Sequence, residues 1–341
     1  MLYINDSCTD PHWNLAAEEY LLKNFTQPVF RLWRNESSII IGHYQNAYAE
    51  MDMDYVRRNN IKVVRRLTGG GAVFHDLGNL NFTFVEARKP GEDASAMFRR
   101  FTAPILEALN NIGVKAYLEG RNDLLIDGRK FSGNAVCIHK NRTLQHGTIL
   151  YSASMNTLGE ALKSRPEKFI GKAVQSNRSR VTNISEHLLP DRFPTGVEIR
   201  DMEEFRAYLE KFICSRYPDI KPYEYTEEDL AAIGKLVEEK YSRQEWNIGS
   251  SPSYSFEKVA KLPGGIVELY MGVSKGVIEK IEIRGDYFFT LPTEEFCSRI
   301  AGCTHTPDAV AERLAGIGDI GAYFNNISAQ ELLGLFFDIT P

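Results

Sequence analysis

The sequence predicts an α+β fold in which a mixed β-sheet with packed helices forms a large first domain and a small α+β domain follows. Short β-branched and aromatic runs separated by glycine-rich turns dominate the first 150 residues, which indicates a sheet. Residues 157–241 are helical and charged in composition, and residues 246–255 form a polar segment typical of a linker. Strands and helices do not alternate as β-α units, so we do not expect a doubly wound parallel sheet.

The chain length supports two domains, which we place at residues 1–245 and 246–341. A chain of 341 residues exceeds the size at which a single core usually stops growing. Hydrophobic residues make up 43% and charged residues 25%, which predicts a globular protein rather than a disordered one. With 45 acidic and 40 basic residues, no overall positive field favours nucleic acid or an anionic membrane as a partner.

Cysteine usage and hydropathy predict a cytoplasmic protein. The five cysteines are scattered without C-x-x-C spacing, which indicates neither a zinc site nor a disulfide framework and favours a reducing compartment. The first residues lack the pattern of a signal peptide, and no apolar run approaches the roughly 18 residues of a membrane span.

Hydrophobic spacing predicts the individual elements. The spacing of Leu15, Glu18 or Glu19, and Leu22 indicates an amphipathic helix at residues 14–22. The spacing of apolar residues over 94–112, followed by Gly113, indicates a second helix. Strands are predicted at 29–33 and 38–41 as a pair, then at 62–67, 72–74 and 81–85. One hairpin is predicted at 124–131, and a second hairpin is predicted from 136–139 and 148–151. In the small domain we expect strands at 266–271 and 277–283 and helices near 293–300, 307–314 and 329–337.

A run of three glycines joins two predicted strands within RRLTGGGAVFHD at residues 65–76. Its backbone N–H groups can face an anion, because glycine permits the positive φ values that expose them, although an ordinary tight turn also fits. The spacing matches neither a Walker A loop nor G-x-G-x-x-G. Strand alternation sends Arg65 and Arg66 to opposite faces, so we expect at most one to meet a ligand and the other to lie on a solvated face. Asn79 in the next turn can hold the loop or contact a ligand.

The dipeptide Asp127-Gly128 predicts a β-hairpin whose return strand carries Lys130. An ammonium is suited to neutralise the α-phosphate of a carboxylate–phosphate mixed anhydride, and an exposed strand lysine is the alternative. Asp123 can hold Mg²⁺ on nucleotide phosphates or cap a turn. His146 can bind a polar group or serve a structural role.

Taken together, these motifs resemble the lipoate-protein ligase A family, whose fold class is shared with biotin ligases. The resemblance covers most of the chain, and its motifs occur in the order NLAAEE (14–19), LWRN (32–35), IGHYQN (41–46), RRLTGGGAVFHDLGN (65–79), GRNDLL (120–125), RKFSGNA (129–135), HGTIL (146–150) and SRVTNI (179–184). The tail from about residue 246 is similar to the accessory domain of ligases that perform both reaction steps. Thr68 stands where serine is common.

The resemblance implies that lipoate and ATP, with Mg²⁺, form lipoyl-AMP, from which a lysine of an acceptor protein takes the lipoyl group. The implied acceptors are the lipoyl domains of 2-oxoacid dehydrogenase E2 subunits and the glycine-cleavage H protein. It also implies residue roles: nucleotide binding by Arg66, Gly71, Ala72, Val73 and Phe74, and contact of Lys130 with the acyl carboxylate and the nucleotide α-phosphate. Beside these roles we assign Gly70 and His146 to lipoate binding, Thr68, Asn79 and Asp123 to support, and Mg²⁺ to Asp123. In the family the accessory domain moves, and residues 165–180 are expected to cover the adenylate.

Two other functions remain as alternatives. An octanoyl or lipoyl transferase that uses no ATP shares the fold, but those with a cysteine nucleophile carry it before the lysine hairpin, where this chain has GRND at 120–123. A non-catalytic lipoate-binding protein is the other alternative, and retention of Lys130 and the glycine run speaks against it. A biotin ligase is disfavoured because its G-R-G-R-x-x-R type of loop is absent.

Overall fold

In the computed structural model, which describes residues 1–162, 169–171, 180–251 and 253–337, the strands form three sheets. The strands are β1 (Leu2–Asn5), β2 (Val29–Trp33), β3 (Ser38–Ile41), β4 (Lys62–Arg65), β5 (Val73–His75), β6 (Asn79–Ala87), β7 (Ala116–Glu119), β8 (Asp123–Ile126), β9 (Arg129–His139), β10 (Arg142–Leu150), β11 (Phe169–Gly171), β12 (Lys221–Pro222), β13 (Tyr254–Leu262), β14 (Gly265–Ser274) and β15 (Val277–Tyr287). The largest sheet has the order β12-β1-β2-β6-β10-β9-β8-β7, a small one β4-β3-β5, and the third β11-β13-β14-β15.

The helices pack on these sheets. They are α1 (Pro11–Asn24), α2 (Ala47–Glu50), α3 (Met53–Arg58), α4 (Ala94–Asn111), α5 (Met155–Ala161), α6 (Met202–Ser215), α7 (Glu227–Leu236), α8 (Thr293–Ile300), α9 (Pro307–Ala315), α10 (Ile320–Tyr323) and α11 (Ala329–Phe337). The predicted mixed sheet with packed helices and the small α+β domain are confirmed. Within the described ranges, no helix is both long and apolar enough to span a membrane.

The eight-stranded sheet has one apolar and one polar face, because side chains alternate along β6. Phe82 and Phe84 pack in a core with Phe101 of α4 and Phe205 of α6. The opposite face carries polar side chains such as Thr83 and is covered by α1. This polar but buried face is where a site can form.

Helix α1 lies between the eight-stranded and the three-stranded sheets. Its start is specified locally, since the Asp10 carboxylate accepts hydrogen bonds from the backbone of His12 and Trp13, and Pro11 occupies the first turn. Leu15 packs with Trp33 of β2 and with hydrophobic residues of β3 and β4. The predicted helix at 14–22 is therefore confirmed within longer bounds.

The small domain packs on the other side of the three-stranded sheet. Ile39 and Ile41 of β3 share one core cluster with Phe256 of β13 and Leu332 of α11. Strand β11, which precedes the small domain in sequence, pairs antiparallel with β13. The predicted helices at 293–300, 307–314 and 329–337 are confirmed.

Three predictions about strands are wrong. β2 and β3 form at the predicted residues but do not pair, because β2 joins the large sheet and β3 the small one. The second hairpin pairs β9 with residues 142–147 of β10, whereas the predicted residues 148–150 pair with β6 alone, along which all of β10 lies. Strand β13 begins inside the expected linker at 246–255. Residues 165–168 and 172–179 of the expected adenylate-covering segment lie outside the described residues.

Candidate active site

A cavity of about 240 Å³ lies on the polar face of the eight-stranded sheet, below the glycine run. Its lining includes many of the residues singled out in the sequence: Arg66, Gly70, Gly71, Ala72, Val73, Asp123, Lys130 and His146. The structure thus brings the glycine run and the lysine hairpin together at one site. Phe74, Thr68 and Asn79 do not line the cavity; all three are buried, and Phe74 belongs to the core shared with the small domain.

Strand register fixes the long dimension of the cavity. Trp33 of β2 is paired with Asn81 of β6, and Asn81 with Thr148 of β10. The Thr148 hydroxyl accepts a hydrogen bond of 3.1 Å from Gly133 of β9, which is paired with Asp123 of β8. This row crosses four strand spacings, roughly 19 Å. We call its two limits the Lys130 end and the Trp33 end.

The Lys130 end carries an ion pair. Nζ of Lys130 lies 2.8 Å from Oδ1 of Asp123, and both side chains are about one-third exposed. A Cβ atom at position 133 would lie 3.0 Å from Nζ, so glycine there gives the lysine room to cross the strand. The Lys130 backbone donates to the carbonyl of Arg180 and accepts from the N–H of Thr182. A partly exposed ammonium held by one carboxylate is available to an incoming anion.

The Arg66 guanidinium holds the glycine run by hydrogen bonds to its backbone. Its Nη2 donates to the carbonyl oxygens of Gly69 at 2.8 Å and Gly71 at 2.7 Å, and its Nη1 to that of Ile40 at 3.0 Å. Burial lowers the pKa of the guanidinium to about 10, and the group stays charged at neutral pH. Because Arg66 occupies the carbonyl oxygens of Gly69 and Gly71, backbone N–H groups of the run can face an anion.

A chain of buried hydrogen bonds continues from Arg66 to the Trp33 end. Nε of Arg66 donates to the Thr68 hydroxyl at 2.9 Å, and this hydroxyl lies 2.8 Å from Nε2 of His146. Nδ1 of His146 lies 2.9 Å from a carboxylate oxygen of Glu18. Glu18 accepts from the Thr83 hydroxyl at 2.5 Å, and that hydroxyl accepts from the Trp33 indole at 2.8 Å. The glycine run and the far wall are therefore one connected network.

Arg65 is not solvated, and the expectation for it was wrong. Its side chain is fully buried and donates to the carbonyl oxygens of Gly42 and Gln45, both at 2.8 Å. It also donates to the carbonyl of Asn247 at 3.2 Å and to the Ser251 hydroxyl at 3.0 Å. The polar segment before the small domain is thus anchored to the end of β4, next to Arg66.

Glu18 and His75 are site residues that sequence reasoning did not assign. Glu18 stands between Leu15 and Leu22 on the apolar side of the predicted helix, and a carboxylate there is a signal for a buried polar partner. Val73 and His75 lie two residues apart on β5 and therefore share the face toward the cavity. Helical spacing alone could have indicated Glu18. Assigning His75 required knowledge of which face of β5 is covered.

Residues 10–211 match the family described as lipoyl protein ligase A/B catalytic domain, and residues 251–336 match the bacterial lipoate protein ligase C-terminus. The lipoate-protein ligase LplJ of Bacillus subtilis is 39% identical, with 99% of this chain and 100% of the relative covered. Lipoate–protein ligase 1 of Staphylococcus aureus is 38% identical, with 97% and 98% covered.

Solved structures of lipoate ligases are similar to this chain in fold. A putative lipoate protein ligase from Thermoplasma acidophilum with bound lipoic acid has a TM-score of 0.61 at 26% identity, covering 72% of this chain and 98% of its own. A lipoate-protein ligase A bound with ATP has a TM-score of 0.59 at 28% identity, covering 73% and 98%. The fold is therefore that of the lipoate ligase class of enzymes. The chain belongs to the lipoyl protein ligase A/B catalytic domain family and carries the C-terminal domain of bacterial lipoate protein ligases.

Proposed function

We propose that this protein joins lipoate to a lysine of an acceptor protein in two steps. In the first, the lipoate carboxylate attacks the α-phosphorus of ATP, and pyrophosphate leaves to give lipoyl-AMP. In the second, the acceptor amine attacks the acyl carbon, and AMP leaves as the amide forms. The observation that carries the proposal is a cavity with a lysine at one end and the buried side chains of Leu15 and Trp33 at the other, in a chain similar over 99% of its length to a lipoate ligase.

Lys130 is the residue we assign to the reacting centre. Its ammonium lies where a carboxylate entering the cavity would replace or share the contact with Asp123. A positive charge there neutralises the carboxylate and α-phosphate as they approach, and it stabilises the charge that develops in the transition state. The apolar chain of the acid then extends along the sheet toward Leu15 and Trp33.

Arg66 and the segment Gly71, Ala72, Val73 and Phe74 are proposed to hold the nucleotide. Gly71, Ala72 and Val73 line the cavity, and the four guanidinium hydrogen bonds described above fix the run that precedes them. Phe74 would contribute through its backbone, because its side chain is in the core. Gly70 and His146 are proposed to contact lipoate, with Thr68 and Asn79 as buried supports.

Mg²⁺ is proposed to accompany ATP. Among the described residues, no group of three His, Cys, Asp or Glu side chains is arranged to hold a metal by itself. The single carboxylate of Asp123 fits a metal carried by phosphates, since such Mg²⁺ takes one or two carboxylates and keeps several waters. When bound, the ion would screen phosphate charge.

The proposed partners are lipoyl domains of E2 subunits and the H protein. A solved structural neighbour from T. acidophilum is described as a bipartite lipoate protein ligase with its E2 lipoyl domain. We also propose that the catalytic unit ends near residue 245, that residues 246–341 are an accessory domain, and that the protein works in the cytoplasm. The five cysteines are all free, which suits a reducing compartment.

The test is mass spectrometry of a purified lipoyl domain incubated with the protein, lipoate, ATP and Mg²⁺. The expected result is a lipoyl mass increase that requires both ATP and lipoate, with pyrophosphate released even without the acceptor. Acylation from an acyl-carrier donor without ATP would support the transferase instead. Binding of lipoate without turnover would support the non-catalytic alternative.

A further inference from the structure

The imidazole of His75 has one nitrogen without a partner at the wall of the cavity. The side chain is 3% exposed, and Nε2 is buried with no hydrogen-bond partner in the part of the chain that is described. An unpaired buried polar atom is unfavourable unless a ligand or water completes it. His75 lines the cavity, so a bound ligand can supply that partner.

A relay of hydrogen bonds decides which nitrogen of His75 carries the proton. Arg31 can only donate, and it donates to Oδ1 of Asn14, which leaves the Asn14 amide nitrogen as a donor. That nitrogen donates to Oδ1 of Asn35 at 2.9 Å, so the amide nitrogen of Asn35 faces Nδ1 of His75 at 3.0 Å. Nδ1 must accept this bond. The proton of a neutral His75 therefore lies on Nε2, and the cavity meets an N–H donor.

His75 stays neutral over the physiological range. Burial, with the nearby charge of Arg66 and the neighbouring His146, lowers the pKa of His75 to about 3. The group is thus a neutral donor of fixed direction. It does not attract a carboxylate as an imidazolium would.

Position in the cavity shows which part of the acid His75 would meet. Its ring centroid lies 6.3 Å from that of Trp33 in an edge-on arrangement, which places it at the Trp33 end, away from Lys130. Asn81, paired with Trp33, adds a second unpartnered buried atom, Nδ2, at the same end. With the carboxylate at Lys130, as the proposed function requires, the far end of the acyl chain comes to these donors.

We propose that His75 is a specificity-determining residue whose Nε2–H donates to a sulfur of the dithiolane ring, so that the cavity favours lipoate over octanoate. This inference rests on the proposed function. Sulfur is a weak acceptor, but a hydrocarbon chain offers none and would cover the N–H without replacing its hydrogen bond. Sites built with a buried donor reject analogues that lack the acceptor more strongly than apolar pockets reject a missing methylene.

The test compares lipoate and octanoate as substrates for pyrophosphate release with the full-length protein, ATP and Mg²⁺. His75→Phe removes the donor, and the ratio of kcat/KM for lipoate to that for octanoate is expected to fall about tenfold. His75→Gln places an amide N–H near the position of Nε2 and should restore most of the ratio. His139→Phe, outside the cavity, is the matched control and should leave the ratio at the wild-type value.

A ratio unchanged by His75→Phe, or a ratio that His75→Gln lowers as much as Phe does, would overturn the inference. ¹⁵N NMR of the imidazole gives an independent check: at neutral pH, Nε2 should be protonated and Nδ1 not, and the reverse tautomer would also overturn it. Failure of the proposed function looks different, since then neither acid would release pyrophosphate in the wild-type protein.

Discussion

The Thr68 hydroxyl lies 2.8 Å from Nε2 of His146 and 2.9 Å from Nε of Arg66. One buried hydroxyl therefore joins the arginine that holds the glycine run to a histidine that lines the cavity. An arginine donates only, so the Thr68 oxygen accepts from Arg66. The threonine contact thus connects the part of the site proposed for ATP with the part proposed for lipoate.

Thr68→Val should weaken the use of both substrates. Valine keeps the shape but leaves Nε of Arg66 and the His146 imidazole without this partner, and loss of a hydrogen bond to a charged group costs about 1.5–3 kcal/mol. We expect kcat/KM for pyrophosphate release to fall roughly ten- to a hundredfold, whether lipoate or ATP is varied. Thr68→Ser keeps the hydroxyl and should stay within a few-fold of wild type. A loss confined to one substrate would contradict the connection.

Lys130→Met should nearly abolish adenylate formation. Removing a positive charge from a preorganised site typically lowers kcat by about 10²–10³. Lys130→Arg should not restore the rate, because a planar guanidinium does not replace a compact ammonium. The measurement is single-turnover formation of lipoyl-AMP, with thermal unfolding to confirm the fold. Exposed Lys115→Met is the control, and equal rates for the two methionine variants would exclude the assigned role.

The lysine hairpin illustrates what the sequence can predict. Asp127 and Gly128 have φ values of 49° and 72°, which is the left-handed conformation that the Asp-Gly pair indicates. Because turn chemistry and strand periodicity are local, the bounds of β2 and β3 were also predictable. The pairing of those strands was not, since every residue in both is buried and no alternation shows which sheet each one faces.

The two neighbouring arginines, Arg65 and Arg66, illustrate what the sequence could not predict about the site. Alternation correctly sends Arg65 and Arg66 to opposite faces of β4. The assumption of a solvated face failed because both faces of the three-stranded sheet are covered. Val64 packs with α1 on the side of Arg66, and Val63 packs with the small domain on the side of Arg65. Tertiary packing, which a single sequence does not reveal, decides the surroundings of each guanidinium.

Arg65→Lys should loosen the junction between the two domains. A lysine has three N–H donors on one nitrogen and lacks the planar guanidinium of arginine. It therefore cannot donate to the carbonyl oxygens of residues 42, 45 and 247 and to the Ser251 hydroxyl at the same time. We expect the free energy of unfolding in urea to fall by about 2–4 kcal/mol. Limited proteolysis within residues 245–251 should become faster. The exposed Arg57→Lys is the matched control, and identical cleavage and midpoints in the two variants would contradict the anchoring role.

The buried His305 makes stability depend on pH. Its Nε2 lies 2.9 Å from the carbonyl oxygen of Phe336, which only accepts, so Nε2–H donates and Nδ1 accepts from the Tyr254 hydroxyl at 2.5 Å. Burial lowers the pKa of His305 from its ordinary value of 6.5 to about 4, although the bond to Phe336 opposes this. The folded protein thus keeps a neutral imidazole where the unfolded chain binds a proton.

The sign of the effect follows from proton uptake. Above pH 6.5 both states are neutral at His305 and its contribution is fully present; between pH 6.5 and 4 the unfolded state binds more protons, so stability falls as pH falls. The loss attributable to His305 is on the order of 3 kcal/mol across that window. His75, with its pKa lowered to about 3, acts in the same direction. Carboxylates such as Glu92, whose pKa is lowered by hydrogen bonds from Arg100, lose their contributions only below about pH 4.5.

His305→Gln separates these contributions. Glutamine does not titrate, so the slope of unfolding free energy against pH between 4.5 and 6.5 should be shallower than in the wild-type protein. Stability at pH 7 should also fall, because the imidazole ring stacks on Phe337 with centroids 4.6 Å apart. Urea titrations at several pH values measure both quantities, with His139→Gln as the surface control. An unchanged slope in His305→Gln would show that proton uptake on unfolding occurs elsewhere in the chain.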